Sequence, residues 1–185
     1  MAHASADMPY FINPSINLDR SQKVEAYNNA LNELSALLDG ESDITVIMSS
    51  INCILKTNLS YFYWVGFYIA HGSALKVGPY QGTLGCLDIE FGRGVCGRVA
   101  QSESTIRVDD VHALSQGKDH IACDPNSQSE IVVPVRNNRG KLIAVFDVDS
   151  SVKNSFDDID QKYLEQIMTQ FFSKRELTST LQGLL

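Results

Sequence analysis

The sequence predicts an α+β fold in which helices pack on an antiparallel sheet. Two segments with helical spacing of apolar residues open the chain, strands separated by turn signals fill its middle, and one more helical segment closes it. Strands joined by short turns are typical of antiparallel pairing, because a parallel pair needs a long crossover connection. The 185 residues, 44 % of them hydrophobic, suffice for one domain with its own core.

Composition and charge argue against several classes of function. The net charge is −7 and the lysines and arginines are scattered singly, so no basic stripe favours nucleic acid or an anionic membrane. Residues 1–16 are small, polar and Pro-containing, and we interpret them as an arm before a domain at 17–185. They have no secretory signal pattern, and no segment approaches membrane-spanning length. We therefore expect a cytoplasmic protein whose four cysteines are not a structural disulfide framework.

Two helices are predicted at the start of the domain. The first runs from Leu18 to Asp39, capped by Asp19 or Ser21 and ended by Gly40. Its apolar residues recur at helical spacing, at Val24, Tyr27, Leu31, Leu34 and Leu38. The second runs from about Ser42 to Leu59 and is apolar on most sides, so we expect it to be buried.

The middle of the chain is predicted to form the sheet. The segment from Tyr61 to Ala70 is apolar on both faces and is followed by a hairpin signal, His-Gly-Ser. Further strands are predicted at Cys86–Ile89, Ile106–Val108, Glu130–Arg136 and Leu142–Asp149, the last two joined by the turn Asn-Asn-Arg-Gly.

Other segments connect and close this sheet. A glycine-rich loop around Cys96 leads into a short helix, and Asp109–Ser129 is a long polar loop of the kind that is usually functional or disordered. The last helix is predicted from about Phe156 to Leu181, with Ile159, Tyr163, Ile167 and Phe171 on one face.

Two carboxylates are predicted to share one face of a central strand. Alternate residues of a strand point the same way, so Asp147 and Asp149 lie opposite the apolar series Leu142, Ala144, Phe146 and Val148. A strand end meeting solvent would explain the two acids equally well. Acids roofed by a loop would instead need a cation, a metal or a proton, and mutual repulsion would raise the pKa of one of them.

Aromatic residues are predicted to share a face of the first strand. Trp64, Gly66 and Tyr68 alternate there, and the glycine is expected to leave a dent between two rings. Such a floor suits a small apolar or cationic group, although ordinary core packing would account for the pattern as well.

Three of the four cysteines lie in loop-like sequence: Cys86, Cys96 and Cys123. Cys53 lies in the second predicted helix, where we expect a plain core residue. Cys96 is at or near a helix start, a position that lowers a thiol pKa. Several loop thiols in a reducing compartment indicate thiol–disulfide chemistry, in which one thiol attacks and another resolves.

A zinc site is the competing interpretation of these loops, because His112 and His120 lie near Cys123. The sequence has no C-x-x-C or H-x-x-x-H pair, so we predict no metal.

The chain resembles the free methionine-(R)-sulfoxide reductases, a stand-alone branch of the GAF domains, from about Ser15 to Phe171. The resemblance rests on several segments in the right order: WVGFY, GPYQG followed by Cys86, FGRGVCG, VDDVHA, HIACD, SEIVVPV and VFDVDS. It implies a GAF-like six-stranded antiparallel sheet with helices packed on both sides.

The resemblance also implies an activity, the reduction of free L-methionine (R)-sulfoxide to methionine through a cysteine sulfenic acid and an intramolecular disulfide. It implies no bound cofactor, with electrons supplied by thioredoxin and ultimately NADPH. The matching redox cysteines are Cys86, Cys96 and Cys123, the substrate-binding acids are Glu130, Asp147 and Asp149, and the aromatic wall is Trp64 and Tyr68.

The order of the thiols stays open from the residues alone. We favour Cys123 as nucleophile because a loop can close over substrate, with Cys96 as the alternative. Cys86 would then resolve the intermediate or relay the disulfide to thioredoxin, and Cys53 would be a spectator. The first and last helices could pair in a homodimer.

The residues also allow two other classes of function. A GAF sensor that binds a cyclic nucleotide-like molecule without chemistry is the main alternative, but three acids in one pocket would repel a phosphate. A module used only for dimerisation would leave the loop thiols unexplained.

Overall fold

A computed structural model describes residues 15–114 and 124–183 of the chain, so the predicted arm lies almost wholly outside the described residues. The helices are α1 (Arg20–Leu37), α2 (Ile44–Asn58), α3 (Gly94–Ser102) and α4 (Asp158–Met168). The strands are β1 (Trp64–His71), β2 (Ala74–Gln81), β3 (Asp88–Glu90), β4 (Ile106–Val108), β5 (Ser129–Arg136) and β6 (Leu142–Ser150).

The strands form one antiparallel sheet in the order β3-β2-β1-β6-β5-β4, which places β6 at its centre. Helices α1, α2 and α4 pack on one face, and α3 packs on the other. The predicted α+β architecture, with six strands and helices on both sides, is confirmed. None of the helices within the described ranges has the length and apolar character that spanning a bilayer requires.

The predicted start of α1 is confirmed, with Asp19 as its cap. The Asp19 side chain accepts from the backbone of residues 21 and 22, and the Gln22 side chain accepts from the Asp19 N–H, which forms a capping box. Gly40 follows the helix with a φ of +70°, a conformation that favours glycine. One position was wrong: Val24 is exposed, and Lys23 beside it is buried.

Lys23 is buried because it completes a polar network between α1 and α4. Its ammonium lies 2.5 Å from Asp160 Oδ2 and donates to the Ser155 carbonyl. Both Tyr27 and Tyr61 donate to Asp160 Oδ1, so the buried carboxylate is fully surrounded by donors. Paired and hydrogen-bonded in this way, the two charges fix how α1 sits on α4.

The last helix is shorter than predicted. Regular α-helix ends at Met168, and a π-helical turn (Thr169–Ser173) follows. Phe171 and Phe172 are adjacent in sequence and both fully buried in this wider turn. The chain then pairs with the start of α2 through Thr178, whose carbonyl accepts from Ile44 N at 2.9 Å.

The alternation predicted for β6 holds from Ala144 onward but fails at its start. The pairing with β5 shifts by one residue between Val135 and Arg136. Leu142 therefore packs with the cluster on the α3 face, and Ile143 packs against the opposite one. A bulge exchanges the two faces of a strand, which the sequence period alone cannot show.

Candidate functional site

The pairing of β6 with its two neighbours gathers the predicted acids on the α3 face of the sheet. Asp149 pairs with Trp64 on β1 and with Glu130 on β5. Asp147 lies two residues earlier on the same strand, opposite Gly66. Both predicted faces are therefore present, and the acids of β6 and the aromatic residues of β1 lie on one surface of the sheet.

Helix α3 packs on this surface and carries the thiol of Cys96. Gly97 allows the close approach, because a Cβ at that position would lie 2.2 Å from the carbonyl oxygen of Glu90. One residue earlier, the Cys96 sulfur lies 4.0 Å from a Glu130 carboxylate oxygen. The sulfur and one carboxylate oxygen each of Glu130 and Asp147 all lie within 4.8 Å of one another, and all three side chains are buried.

Two carboxyl groups of the site, Asp147 and Asp149, have raised pKa values. Burial raises the pKa of Asp147, and the charges of Asp149 and Glu130 raise it further. Burial also raises the pKa of Asp149, followed by the charge of Glu130, while a hydrogen bond from Ser127 acts the other way. Of the described residues that line the cleft, none is basic. The site is therefore prepared for a cation or for bound protons.

The low pKa expected for Cys96 was wrong. Burial raises the pKa of this thiol well above its usual value, and the charges of Asp147 and Glu130 add to the effect. A helix N-terminus carries only a partial positive charge, which favours a thiolate weakly. Two nearby carboxylates in a buried site disfavour the thiolate more strongly. Cys96 is therefore a neutral thiol in this structure.

The aromatic side chains form a continuous wall rather than two rings with a gap. The rings of Trp64 and Tyr68 stack with centroids 5.7 Å apart, and Tyr80 stacks on the other side of the indole at 5.3 Å. The dent expected at Gly66 is filled, because a Cβ there would lie 2.6 Å from the indole and 2.4 Å from the Tyr80 side chain. The glycine thus lets the indole lie flat on the strand.

The acids, the thiol and the aromatic wall line one cleft that is partly open to solvent. Residues that sequence reasoning did not single out also line it, among them Thr83, Asp124 and Ser127. The signal for Asp124 was the Asp-Pro-Asn turn, in which an aspartate side chain accepts from the backbone two residues on.

The other cysteines differ in their surroundings. Cys86 is half-buried between β2 and β3 and is disulfide-bonded. Cys53 is a free thiol on α2, but it faces solvent, so the core role predicted for it was wrong. Apolar residues cover most of α2, yet the turn that carries Cys53 points away from the sheet. Cys123 lies outside the described residues.

Residues with metal-binding side chains lie both in the loop and in the cleft. His112 is exposed and hydrogen-bonded to Gln128, and His120 lies outside the described residues. Among the described residues, the set that could hold a metal ion is Cys96, Glu130 and Asp147. The expectation of no metal stays a prediction.

Comparison with known proteins gives a consistent picture. The GAF domain family model matches residues 28–171. The free methionine-R-sulfoxide reductase of Escherichia coli is 37 % identical over 150 residues, which are 80 % of this chain and 87 % of the relative.

Solved structures give the same relationship. The fRMsr of Staphylococcus aureus in its reduced form is 37 % identical with a TM-score of 0.75, covering 82 % of this chain and 95 % of that one. The free methionine-R-sulfoxide reductase of Neisseria meningitidis, in complex with its substrate, is 33 % identical with a TM-score of 0.76, covering 90 % and 96 %.

Proposed function

This chain belongs to the free methionine-R-sulfoxide reductase family of GAF domains, and we propose that it reduces free L-methionine (R)-sulfoxide to L-methionine. One observation supports this above all: Asp147 and Asp149, two acids whose pKa values are raised, share a cleft with a thiol and an aromatic wall. Free methionine sulfoxide brings a cation in its ammonium, and its methyl end suits the aromatic wall.

The acids would divide two tasks. Carboxylates of the group Glu130, Asp147 and Asp149 hold the substrate ammonium through charge-assisted hydrogen bonds. A raised pKa favours the protonated form of a carboxyl, so Asp147 or Asp149 can donate a proton to the sulfinyl oxygen. Protonation of the oxygen makes the sulfur more electrophilic while a thiol attacks it.

The chemistry balances with three thiol steps. A cysteine thiol takes the sulfinyl oxygen, which releases methionine and leaves a sulfenic acid, Cys–S–OH. A second cysteine attacks that sulfur, so an S–S bond forms and the oxygen leaves as water. A dithiol protein, thioredoxin, then reduces the disulfide with electrons that come ultimately from NADPH.

Cys123 is our proposed nucleophile, with Cys86 resolving. The raised pKa of Cys96 weighs against this thiol as the first attacker, because the thiolate is the reactive form. The disulfide bond of Cys86 supports its redox role. The neutral Cys96 thiol would instead lie beside the buried acids as a structural neighbour. We also propose that two copies of the chain form a homodimer through α1 and α4.

A turnover assay tests the proposed function. The protein, supplied with a thiol reductant, should reduce free methionine (R)-sulfoxide and leave the (S) epimer nearly untouched. It should also leave a peptide-bound sulfoxide nearly untouched, because a residue within a peptide lacks the free ammonium. Equal turnover of free and peptide-bound sulfoxide would contradict the role of the acids. No turnover, together with binding of a cyclic nucleotide, would favour the sensor interpretation.

Single-turnover chemistry on Cys→Ser variants assigns the thiols. Without added reductant, a variant of a resolving cysteine should still release about one methionine per chain, and the nucleophile variant should release none. Release of a full equivalent by Cys123→Ser, with none from Cys96→Ser, would exchange the two roles.

A further inference from the structure

Two polar side chains of α2 reach the parts of the chain that carry the aromatic wall. Asn52 Nδ2 donates to the Pro79 carbonyl at 2.7 Å. Lys56, one helical turn later, donates to the carbonyl of Phe62 and to that of Tyr63, the latter at 2.6 Å. Residues one turn apart lie on the same face of a helix, so both side chains leave α2 towards the sheet.

Two of these acceptors immediately precede an aromatic residue of the wall. Pro79 is followed by Tyr80, and Tyr63 is followed by Trp64. The rings of Tyr80 and Trp64 stack with centroids 5.3 Å apart. Helix α2 packs on the other face of the sheet, and none of the described residues that line the cleft belongs to it. The helix therefore reaches the wall only through the backbone.

The two acceptors lie where the pairing of β1 with β2 is irregular or has not begun. Tyr63 precedes the first residue of β1, and its N–H donates to the Asp149 carbonyl at 2.7 Å. Pro79 lies in a bulge, because the register shifts between Gly66 and Tyr68 and leaves one extra residue on β2. A proline also has no N–H to donate to a neighbouring strand. The side chains of α2 thus supply hydrogen bonds at points that regular pairing does not fix.

Core packing does not explain these two polar side chains. Asn52 is 1 % exposed, and its Oδ1 has no hydrogen-bond partner among the described residues. Burial lowers the pKa of Lys56 to about 8, so its ammonium is less favoured there than in water. An apolar side chain of similar size would avoid both penalties. The bonds to the backbone carbonyls are what an apolar side chain could not supply.

We propose that Asn52 and Lys56 are positioning residues for the aromatic wall. By fixing the backbone just before Tyr80 and Trp64, they keep the two rings stacked and the indole in place against the cleft. They act through the backbone and do not contact the substrate. This inference rests on the proposed function, because the wall is assigned there to the methyl end of methionine sulfoxide.

The fluorescence of Trp64 reports the wall directly, because it is the only tryptophan of the chain. Lys56→Met keeps the aliphatic stem and removes the ammonium, and Asn52→Leu keeps the approximate size and removes the amide. At pH 7, we expect both variants to shift the emission to longer wavelength and to increase its quenching by acrylamide, since the indole is less well enclosed.

Turnover with a thiol reductant measures the consequence for substrate binding. In both variants the KM for free methionine (R)-sulfoxide should rise about 5-fold, the equivalent of one net hydrogen bond, while kcat changes little. A rise in KM alone is the signature of weakened binding rather than of impaired chemistry.

Two controls make the outcome specific. Lys56→Arg retains donors for the two carbonyls and should keep the emission and the KM near their wild-type values. Thr57→Val removes another side-chain bond of α2, from the Thr57 hydroxyl to the Cys53 carbonyl at 2.8 Å on the exposed side, and should change neither quantity. Denaturant unfolding identifies variants that are folded in the assay, and the second position keeps the test if one variant does not fold.

An unchanged emission or an unchanged KM in the folded Lys56→Met and Asn52→Leu variants would overturn the proposal. A lower kcat with a wild-type KM would place the two residues in the chemical step instead. If the wild-type protein does not reduce the sulfoxide, the proposed function fails. The fluorescence comparison then still decides whether α2 fixes the wall, because it needs no turnover.

Discussion

Replacing Glu130 with glutamine should stabilise the substrate-free protein while weakening its activity. The variant keeps the shape of a buried side chain and removes its negative charge. A Glu130 carboxylate oxygen lies within 4.8 Å of one on Asp147. Two negative charges about 5 Å apart repel by about 3 kcal/mol at an effective dielectric constant of about 20. This figure is an upper bound, because a carboxyl that takes up a proton relieves the repulsion.

The pH dependence of this effect has a definite sign. Burial, followed by neighbouring charges that include Glu130, raises the pKa of Asp147 and Asp149 in the folded state. Stability linked to such a group is present below its unfolded pKa and is lost as the pH rises towards its folded pKa. Removing the charge of Glu130 lowers both folded pKa values, so the variant loses less. We expect a gain of about 1–3 kcal/mol at pH 9 and a smaller gain at pH 5.

Denaturant unfolding of the reduced proteins at pH 5, 7 and 9 measures this gain. Glu25→Gln, which removes an exposed acid on α1, is the matched control and should change little at any pH. In the turnover assay, Glu130→Gln should raise KM about 10-fold or more, because a charged partner of the ammonium is lost. A variant less stable than wild type at pH 7 and 9 would refute the reasoning.

Three further changes test the surrounding structure. Trp64→Phe keeps a ring in the wall but loses the indole bond to the β2–β3 loop; it should raise KM more than it lowers kcat and cost about 1–3 kcal/mol in denaturant unfolding. Asp160→Asn removes the nearer of two carboxylates that pair with the buried ammonium of Lys23, leaving Asp157 at 3.2 Å, and should cost about 3 kcal/mol. Exposed Asp158→Asn should change the unfolding midpoint little. Gly97→Ala places a Cβ 2.2 Å from a backbone oxygen of β3, so it should push α3 away from the sheet. We expect a loss of about 1–3 kcal/mol in stability and slower turnover, and a wild-type melting temperature would contradict this expectation.

The sequence predicted those parts of the site that depend on the alternation of side chains along a β-strand. Asp147 and Asp149 share a face because they are two residues apart on one strand, and Trp64 and Tyr68 do so because they are four apart. Pairing in the sheet then joins the two faces. The period failed only at Leu142, where a bulge adds one residue to the strand.

The remaining features depend on partners that are distant in sequence. The helix start at Cys96 was visible, but its pKa is set by burial and by carboxylates on β5 and β6. The helical spacing placed Val24 on the apolar face of α1, whereas the buried residue there is Lys23, which pairs with Asp160 on α4. Both of these errors arose where a local pattern met a charge supplied by another element.

The cleft contains two kinds of acid, one stabilised by the protein itself and one that needs a cation or a proton. Asp124 is satisfied by four donors of the protein, so its charge is stabilised whether or not substrate is present. Asp147 has a buried carboxylate oxygen with no hydrogen-bond partner among the described residues, and its pKa is raised. A group of this second kind lowers the stability of the free protein and regains that free energy only when a cation or proton arrives.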